Sequence, residues 1–372
     1  MKEVRVTYPA GQYTALVGHA LFSEEPGPLS DVCVGKKVAL ITDAGIPQRH
    51  LDVVHSAVGA LAKSTYTEFL DQGENQKQMA TVLHLAERLL TRGFDRSDII
   101  IGLGGGSVLD IAGFLSAIYM RGLLYVNIPT TLLAQCDACI GGKVGVNFGG
   151  GKNLLGAFYH PATVLVDTLF LHSLPIHEQK AGLVEVIKAG IIGDPKLFSL
   201  IEQSLDDLVG LKNPQLLQES IYRALQVKAQ IVEQDEKEAG PRMKLNLGHT
   251  VGHAVEAVFG PQAIIAHGEA VAVGIRVAAM IAWKRGLLPE QDLHRIDSLI
   301  TSLGFGDQWK AFNTASIMEK IALDKKKRQG RINFVLPLRI GEVTVVNDIC
   351  EDELTKSLEA LKDHGIQHIQ QP

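Results

Sequence analysis

The first half of the chain alternates apolar runs of strand length with amphipathic stretches. VRVTYP (4–9) and KKVALITD (36–43) predict strands, and the second is an unbroken apolar run of the kind buried on both faces. A helical pattern follows to about Ala62, then a short strand at 65–70. Within 76–92, Met79, Val82, Leu83, Leu85, Leu89 and Leu90 are spaced for one helix face. SDIIIGLGGGS (97–107) runs from a strand into glycines, and 108–120 is helical. LLYVNIPTT (123–131) and TVLVD (163–167) are two more strands. Strands alternating with helices imply an α/β domain built on a parallel, mostly buried sheet.

After Pro175 the pattern turns helical, at roughly 177–191, 195–209, 214–235, 246–259, 268–285 and 289–303. Two β segments, 331–338 and 341–346, precede a closing amphipathic helix from about 351. A chain of 372 residues exceeds the usual size of a single core. The expectation is therefore an α/β domain over 1–175 and a mostly α-helical domain over 176–372.

Charge and cysteine content narrow the partners. A net charge of −5 gives no general reason to expect nucleic acid or an anionic membrane, so any anion site must be a local basic cluster. No signal pattern or apolar run of about 18 residues is found, and a cytoplasmic protein is expected. Cys33, Cys136, Cys139 and Cys350 are too scattered for a disulfide framework. The Cys136–Cys139 CxxC lacks a second pair nearby, so neither a structural zinc nor a redox role is expected of it.

Candidate chemistry begins at the glycines. Backbone approaching a pyrophosphate needs residues without a Cβ, and the helix that follows offers free N–H groups. GLGGGS has Ser107 where the dinucleotide fingerprint has its last glycine, which leaves a nucleotide site or a plain tight turn open. The glycine-rich stretch 129–161 carries Asp137, Lys143, Lys152 and Asn153 on expected loops, and the lysines suggest a phosphate or carboxylate ligand. In AGLVEVIKAG, Glu185 and Lys188 stand three apart in an apolar helix, and a buried carboxylate needs a partner or a metal. LNLGHTVGHA sets His249 and His253 on one helix face, and AHGEA adds His267. Glu185 is the natural third ligand to join His249 and His267. Lys228, Arg242 and Asn246 add polar groups, while the basic run 323–331 reads by itself as a solvated face.

From about Val38 to Pro337 the chain resembles 3-dehydroquinate synthase. The resemblance rests on GGGSVLDIAGFLSAIYMRG, PTTLLAQCDACIGGKVGVN, GKNLLGAFYHP, GLVEVIKAG, DEKEAGPRMKLNLGHTVGHA, HGEAV and DKK, in that order. It implies a dehydroquinate synthase-like fold, with an N-terminal nucleotide-binding domain, a helical C-terminal domain and the active site in the cleft between. The implied reaction converts 3-deoxy-D-arabino-heptulosonate 7-phosphate to 3-dehydroquinate and phosphate by oxidation, elimination, reduction, ring opening and aldol closure. NAD is implied as a cofactor that is regenerated in each turnover, with zinc (or cobalt) as the metal.

Carried over residue by residue, the resemblance makes Glu185, His249 and His267 the metal ligands. Asp137, Lys188 and Lys228 match groups around the substrate hydroxyls. Lys143, Asn153 and Arg242, with Lys152 nearby, match carboxylate and other anion contacts. Asn246, His253 and Lys326 match the phosphate set. Arg121 matches an arginine inserted into a partner subunit's site, which implies a homodimer. Asp43, Glu74, Lys77, Gly105, Gly106, Asp110, Thr130 and Thr131 fall on NAD positions.

Three departures stand out. Gly45 replaces a usual Asn, loosening one hydrogen bond on the order of 1 kcal/mol. Ser107 and Leu109 replace Val and Gly, and CDACIGGKV replaces the usual serines and threonine around Asp137. Rival readings are a cyclase acting on sedoheptulose 7-phosphate or glucose 6-phosphate, a metal-dependent alcohol or glycerol dehydrogenase, and a silent nucleotide-binding protein. GKN, the Glu185 helix and DKK are not expected of the dehydrogenases.

Overall fold

The computed structural model describes residues 1–23, 27–259, 265–311, 313–327 and 333–363, with the side chains of 324–327 left undescribed. In chain order the strands are β1 (Lys2–Tyr8), β2 (Gly11–Gly18), β3 (Lys37–Asp43), β4 (Ser64–Leu70), β5 (Ile99–Gly104), β6 (Leu124–Pro129), β7 (Lys143–Phe148), β8 (Gly151–Phe158), β9 (Thr163–Asp167), β10 (Phe334–Arg339) and β11 (Glu342–Val346). The helices are α1 (Ser30–Cys33), α2 (Gln48–Gly59), α3 (Met79–Thr91), α4 (Gly106–Ile118), α5 (Ile176–Gly193), α6 (Pro195–Gln203), α7 (Leu205–Val209), α8 (Pro214–Gln234), α9 (His249–Phe259), α10 (His267–Lys284), α11 (Glu290–Ser302), α12 (Thr314–Lys327) and α13 (Glu351–Asp363).

Two compact units form. The first is Met1–Pro175 together with Leu211–Lys237, and the second is Ile176–Gly210 with Glu238–Pro372. The first unit holds a seven-stranded sheet in the order β1-β2-β9-β6-β5-β3-β4, parallel except where β1 meets β2. Its central strands β3, β5 and β6 are buried at nearly every position because both faces are covered. Val38 and Leu40 of β3, with Ile99 and Ile101 of β5, pack into one core beside Leu51 and Val54 of α2. Ala39, Ile41 and Ile100 point the other way, to Leu85 of α3 and Ile111 of α4.

The expectation of one helical domain over 176–372 needs correcting at α8. Its apolar stripe, including Leu217, Ile221, Ala224 and Leu225, is buried within the first unit. Gln218 Nε2 donates to the Val17 carbonyl at 3.0 Å, and Lys2 pairs with Glu219. The glycine-rich stretch is also not simply loop. Lys143, Lys152 and Asn153 lie on the antiparallel hairpin β7–β8, which forms because Val144 and Val146 join the α3–α4 core, with Leu155 and Ala157 against it. β2 and α12 are further elements that the pattern did not reveal.

The second unit is organised on α10, which is buried along nearly its whole length. Helix α5 is likewise buried on nearly every face from Gln179 to Ile192, Glu185 and Lys188 included. Backbones approach closely here. A Cβ on Gly268 would stand 2.0 Å from the Ala181 carbonyl oxygen of α5, and one on Gly274 would stand 1.9 Å from the Gly248 oxygen. Gly248 itself has φ +80°, a left-handed turn that lets α9 start afresh at His249. These glycines set the start of α10 against α5, and the Gly248 turn before α9 against the middle of α10.

Candidate functional site

In the second unit, α5 carries Glu185 and Lys188 one turn apart, α9 begins with His249, and α10 begins with His267. The Glu185 side chain is 1% exposed, and its Oε2 is in contact with the Lys188 ammonium. Its Oε1 is buried and has no hydrogen-bond partner. His267 Nε2 lies 3.7 Å and His249 Nε2 4.0 Å from that oxygen. These gaps are too long for hydrogen bonds but close to the spacing of ligands around one ion. Zinc at 2.0–2.1 Å from tetrahedral ligands sets them about 3.4 Å apart. One buried orphan oxygen and two imidazole nitrogens make a donor set that fits a divalent metal, and all three ligand atoms lie within 4.8 Å of one another.

Electrostatics separate the two imidazoles. Burial and the nearby Lys188 ammonium hold the His249 pKa well below the ordinary histidine value, so it stands neutral and ready to ligate. Burial also opposes charge on His267. A hydrogen bond to Glu256 and the Glu185 and Glu256 carboxylates outweigh it, and its pKa is raised. A metal at this site therefore competes with a proton for His267.

Other expected residues cluster nearby in the chain. His253 stacks edge-on to His249 at 5.2 Å between ring centroids. Arg242 is among the most deeply buried side chains, on the 3₁₀ turn Pro241–Asn246, and Asn246 Nδ2 donates to Glu238. The Lys326 side chain lies outside the described residues.

In the first unit the expected cofactor residues gather at the end of the sheet where β5 meets α4. Gly105 caps α4 and Gly106 opens it. A Cβ on Gly105 would come within 3.2 Å of Thr131, whose hydroxyl accepts from the Ala134 N–H. The Thr130 N–H donates to the Gly104 carbonyl at 3.0 Å. Lys77 is buried in contact with Asp110, whose pKa burial raises against the pull of that ammonium. Glu74 accepts from Ser107 and, at 2.9 Å, from Asn147 of the hairpin. Asp43 closes β3 and accepts from the Gly45 N–H at 2.8 Å. A Cβ on Gly45 would meet the Gln72 side-chain amide at 2.5 Å, so Gln72 fills the space beside Asp43 that a side chain at position 45 would need.

Asp137 sits on the π-helical turn Ala134–Ala138, a form common at functional sites. Lys228 of α8 grips it twice, at 3.0 Å to the carboxylate and 2.7 Å to its carbonyl. Cys136 and Cys139 are buried cysteines on or beside that turn, and burial pushes Cys139 up to about 12, so its thiol is inert at neutral pH. Arg121 is exposed and left-handed at φ 67°, next to Met120 at φ 49°. Asn153, at φ 55°, donates its N–H to Asn147.

Sequence reading missed Asn147 and Glu256, both of which hold expected site residues. Glu256 could have been found, since it lies seven residues after His249 and three after His253, on the same helix face.

A cofactor-type glycine turn and a metal-type donor set on an α/β-plus-helical chain fit the class of sugar-phosphate cyclases, two solved members of which are similar to this chain. The solved 2-deoxy-scyllo-inosose synthase complexed with carbaglucose-6-phosphate, NAD+ and Co2+ is similar, with TM-score 0.85 at 26% identity over 96% of this chain and 99% of that one. So is 2-epi-5-epi-valiolone synthase from Streptomyces hygroscopicus subsp. jinggangensis with NAD+ and Zn2+ bound, with TM-score 0.85 at 28% identity over 94% and 96%. Within the class, residues 67–181 match the family model for the 3-dehydroquinate synthase N-terminal region, and 182–327 the model for its C-terminal region. The 3-dehydroquinate synthase of Caldanaerobacter subterraneus subsp. tengcongensis is 42% identical over 322 residues, covering 87% of this chain and 90% of that protein. The chain belongs to the 3-dehydroquinate synthase family.

Proposed function

We propose that the chain converts 3-deoxy-D-arabino-heptulosonate 7-phosphate to 3-dehydroquinate and phosphate, as an NAD- and divalent-metal-dependent lyase of aromatic amino-acid biosynthesis. The observation that carries this reading is the buried Glu185 Oε1, without a donor and faced by two imidazoles, at the ligand positions of the family. The 42% identity to a 3-dehydroquinate synthase, against 26–28% to the two other cyclases, favours this substrate over theirs.

NAD, if bound at the glycine turn of Gly105 and Gly106, would supply reversible hydride chemistry with no need of an external oxidant. The metal, when bound by Glu185, His249 and His267, supplies Lewis-acid polarisation. The chain's own groups bind and orient. In the first unit, Asp137 held by Lys228 faces the ring hydroxyls, and Lys143, Lys152 and Asn153 take the carboxylate. Asp43, Glu74, Lys77, Asp110, Gly105, Gly106, Thr130 and Thr131 hold the dinucleotide. In the second unit, Lys188 stands by the hydroxyls and Arg242 clamps an anionic oxygen pair through its guanidinium fork. Asn246, His253 and Lys326 hold the phosphate.

We further infer a cytoplasmic homodimer to which Arg121 contributes across the interface. Ile118, Met120 and Leu124 around Arg121 are 37–47% exposed, an apolar patch of the kind that marks a contact surface. Free cysteines accord with a reducing compartment.

The test is phosphate release from the heptulosonate phosphate with NAD+ below the enzyme concentration. Many turnovers without net NADH are expected. Accumulating NADH without phosphate would sink the cyclase reading, and turnover of sedoheptulose 7-phosphate alone would move the chain to another cyclase.

A further inference from the structure

We infer that Glu256 is a positioning residue that fixes His267 in the tautomer able to bind the metal. The inference rests on the reading of Glu185, His249 and His267 as the ligand set. A neutral imidazole carries its proton on one nitrogen and its lone pair on the other, and only the lone pair ligates. Which nitrogen is free is set by what the other one meets.

The two histidines solve this differently. His249 Nδ1 lies 3.2 Å from the Leu247 carbonyl oxygen, which can only accept, so the proton sits on Nδ1 and Nε2 is free toward Glu185. That arrangement is built into the backbone. His267 Nδ1 lies 3.2 Å from Glu256 Oε1, also acceptor-only when ionised, and its Nε2 likewise points at Glu185. Here a side chain imposes the tautomer. The His267 side chain is also 32% exposed against 15% for His249, so fewer neighbours hold its ring. Glu256 itself is 12% exposed, firm enough to act as an anchor.

Position on the helix explains how one element serves both ligands. His249 is the first residue of α9 and Glu256 lies two turns on, on the same face. Helix α9 thus supplies one ligand directly and orients the other, which opens α10.

His253, Glu256 and His267 also form a second trio whose ligand atoms lie within 4.8 Å of one another. The hydrogen-bond distance between Glu256 and His267 favours the orienting role over a second metal. Stoichiometry separates the two.

The experiment compares wild type, E256A and E256Q for metal per chain, for Zn2+ affinity by chelator competition, and for the visible absorption of the Co2+-loaded protein. One metal per wild-type chain is expected, bound about 10–100-fold more weakly in E256A with a changed cobalt spectrum. E256Q keeps an acceptor for the Nδ1 proton and should lose less than about tenfold, with the wild-type spectrum. Equal affinity and spectrum in all three would overturn the inference while leaving the ligand set intact. Two metals in wild type and one in E256A would overturn it in favour of a ligand role. A wild type that takes up no metal would instead overturn the underlying reading of the site.

Discussion

The two units each pair a carboxylate with a buried lysine, and they neutralise it in different ways. Asp110 forms a closed pair: its side chain, 22% exposed, is in contact with the buried Lys77, which balances its charge. Glu185 also touches a lysine through Oε2, yet its Oε1 is left with no donor and two imidazole nitrogens at 3.7 and 4.0 Å. A closed pair needs nothing further. An open set costs free energy until something positive enters it. On the proposed reading, the difference separates a carboxylate that shapes a cofactor pocket from one that holds a cation.

The largest effect should come from breaking the open set. His249→Ala is expected to abolish bound metal and to lower phosphate release by roughly 10³-fold or more. Elemental analysis alongside the rate measurement checks it, and a metal-free variant with full activity would contradict the site. Breaking the closed pair should cost stability first. Lys77→Met strands Asp110 and is expected to destabilise the protein by roughly 3 kcal/mol, with part of that regained in Lys77→Met/Asp110→Leu. Urea unfolding of both variants decides it. A single-variant cost near zero would show that Asp110 has no need of its partner.

The smallest effect concerns His50, which is buried with no ion-pair partner among the described residues. Its Nε2 meets the Ser173 hydroxyl at 2.7 Å, and its ring packs on Phe170. Burial, helped by the Arg49 charge, holds its pKa below the ordinary value. Below about pH 6.5 the unfolded chain takes up a proton that the folded one refuses. Stability is therefore full above that pH and falls as pH drops toward the folded value. His50→Gln should flatten this dependence by up to about 1 kcal/mol between about pH 7.5 and about pH 5.5. An unchanged slope would show that the acid sensitivity lies elsewhere.

The same contrast explains what was legible in the sequence. β3 and β5 could be read because strands buried on both faces are continuous apolar runs. Glu185 stood out because a charge among Leu183, Val184, Val186 and Ile187 has no solvent face to escape to. The β7–β8 hairpin was hidden by its glycines and by an outer strand that leaves Leu154 and Phe158 exposed. For α8, periodicity showed a helix with an apolar stripe but not which core would cover that stripe, since that partner lies some two hundred residues back, at Lys2 and Val17. Glu256 was passed over because its value comes from a ring on another helix.

The return of α8 also bears on how this protein could be cut or assembled. The chain crosses between its compact units three times, after Pro175, Gly210 and Lys237, whereas the family models divide it once, between residues 181 and 182. A fragment stopped after Pro175 or at residue 181 would lack the helix that covers β1 and β2. On a ribosome, the first unit cannot be completed until Lys237 has emerged, by which time α5 to α7 of the second have already been made. Neither half is a separable part, and a working dissection would have to carry Leu211–Lys237 with the sheet rather than with the helices that flank it in sequence.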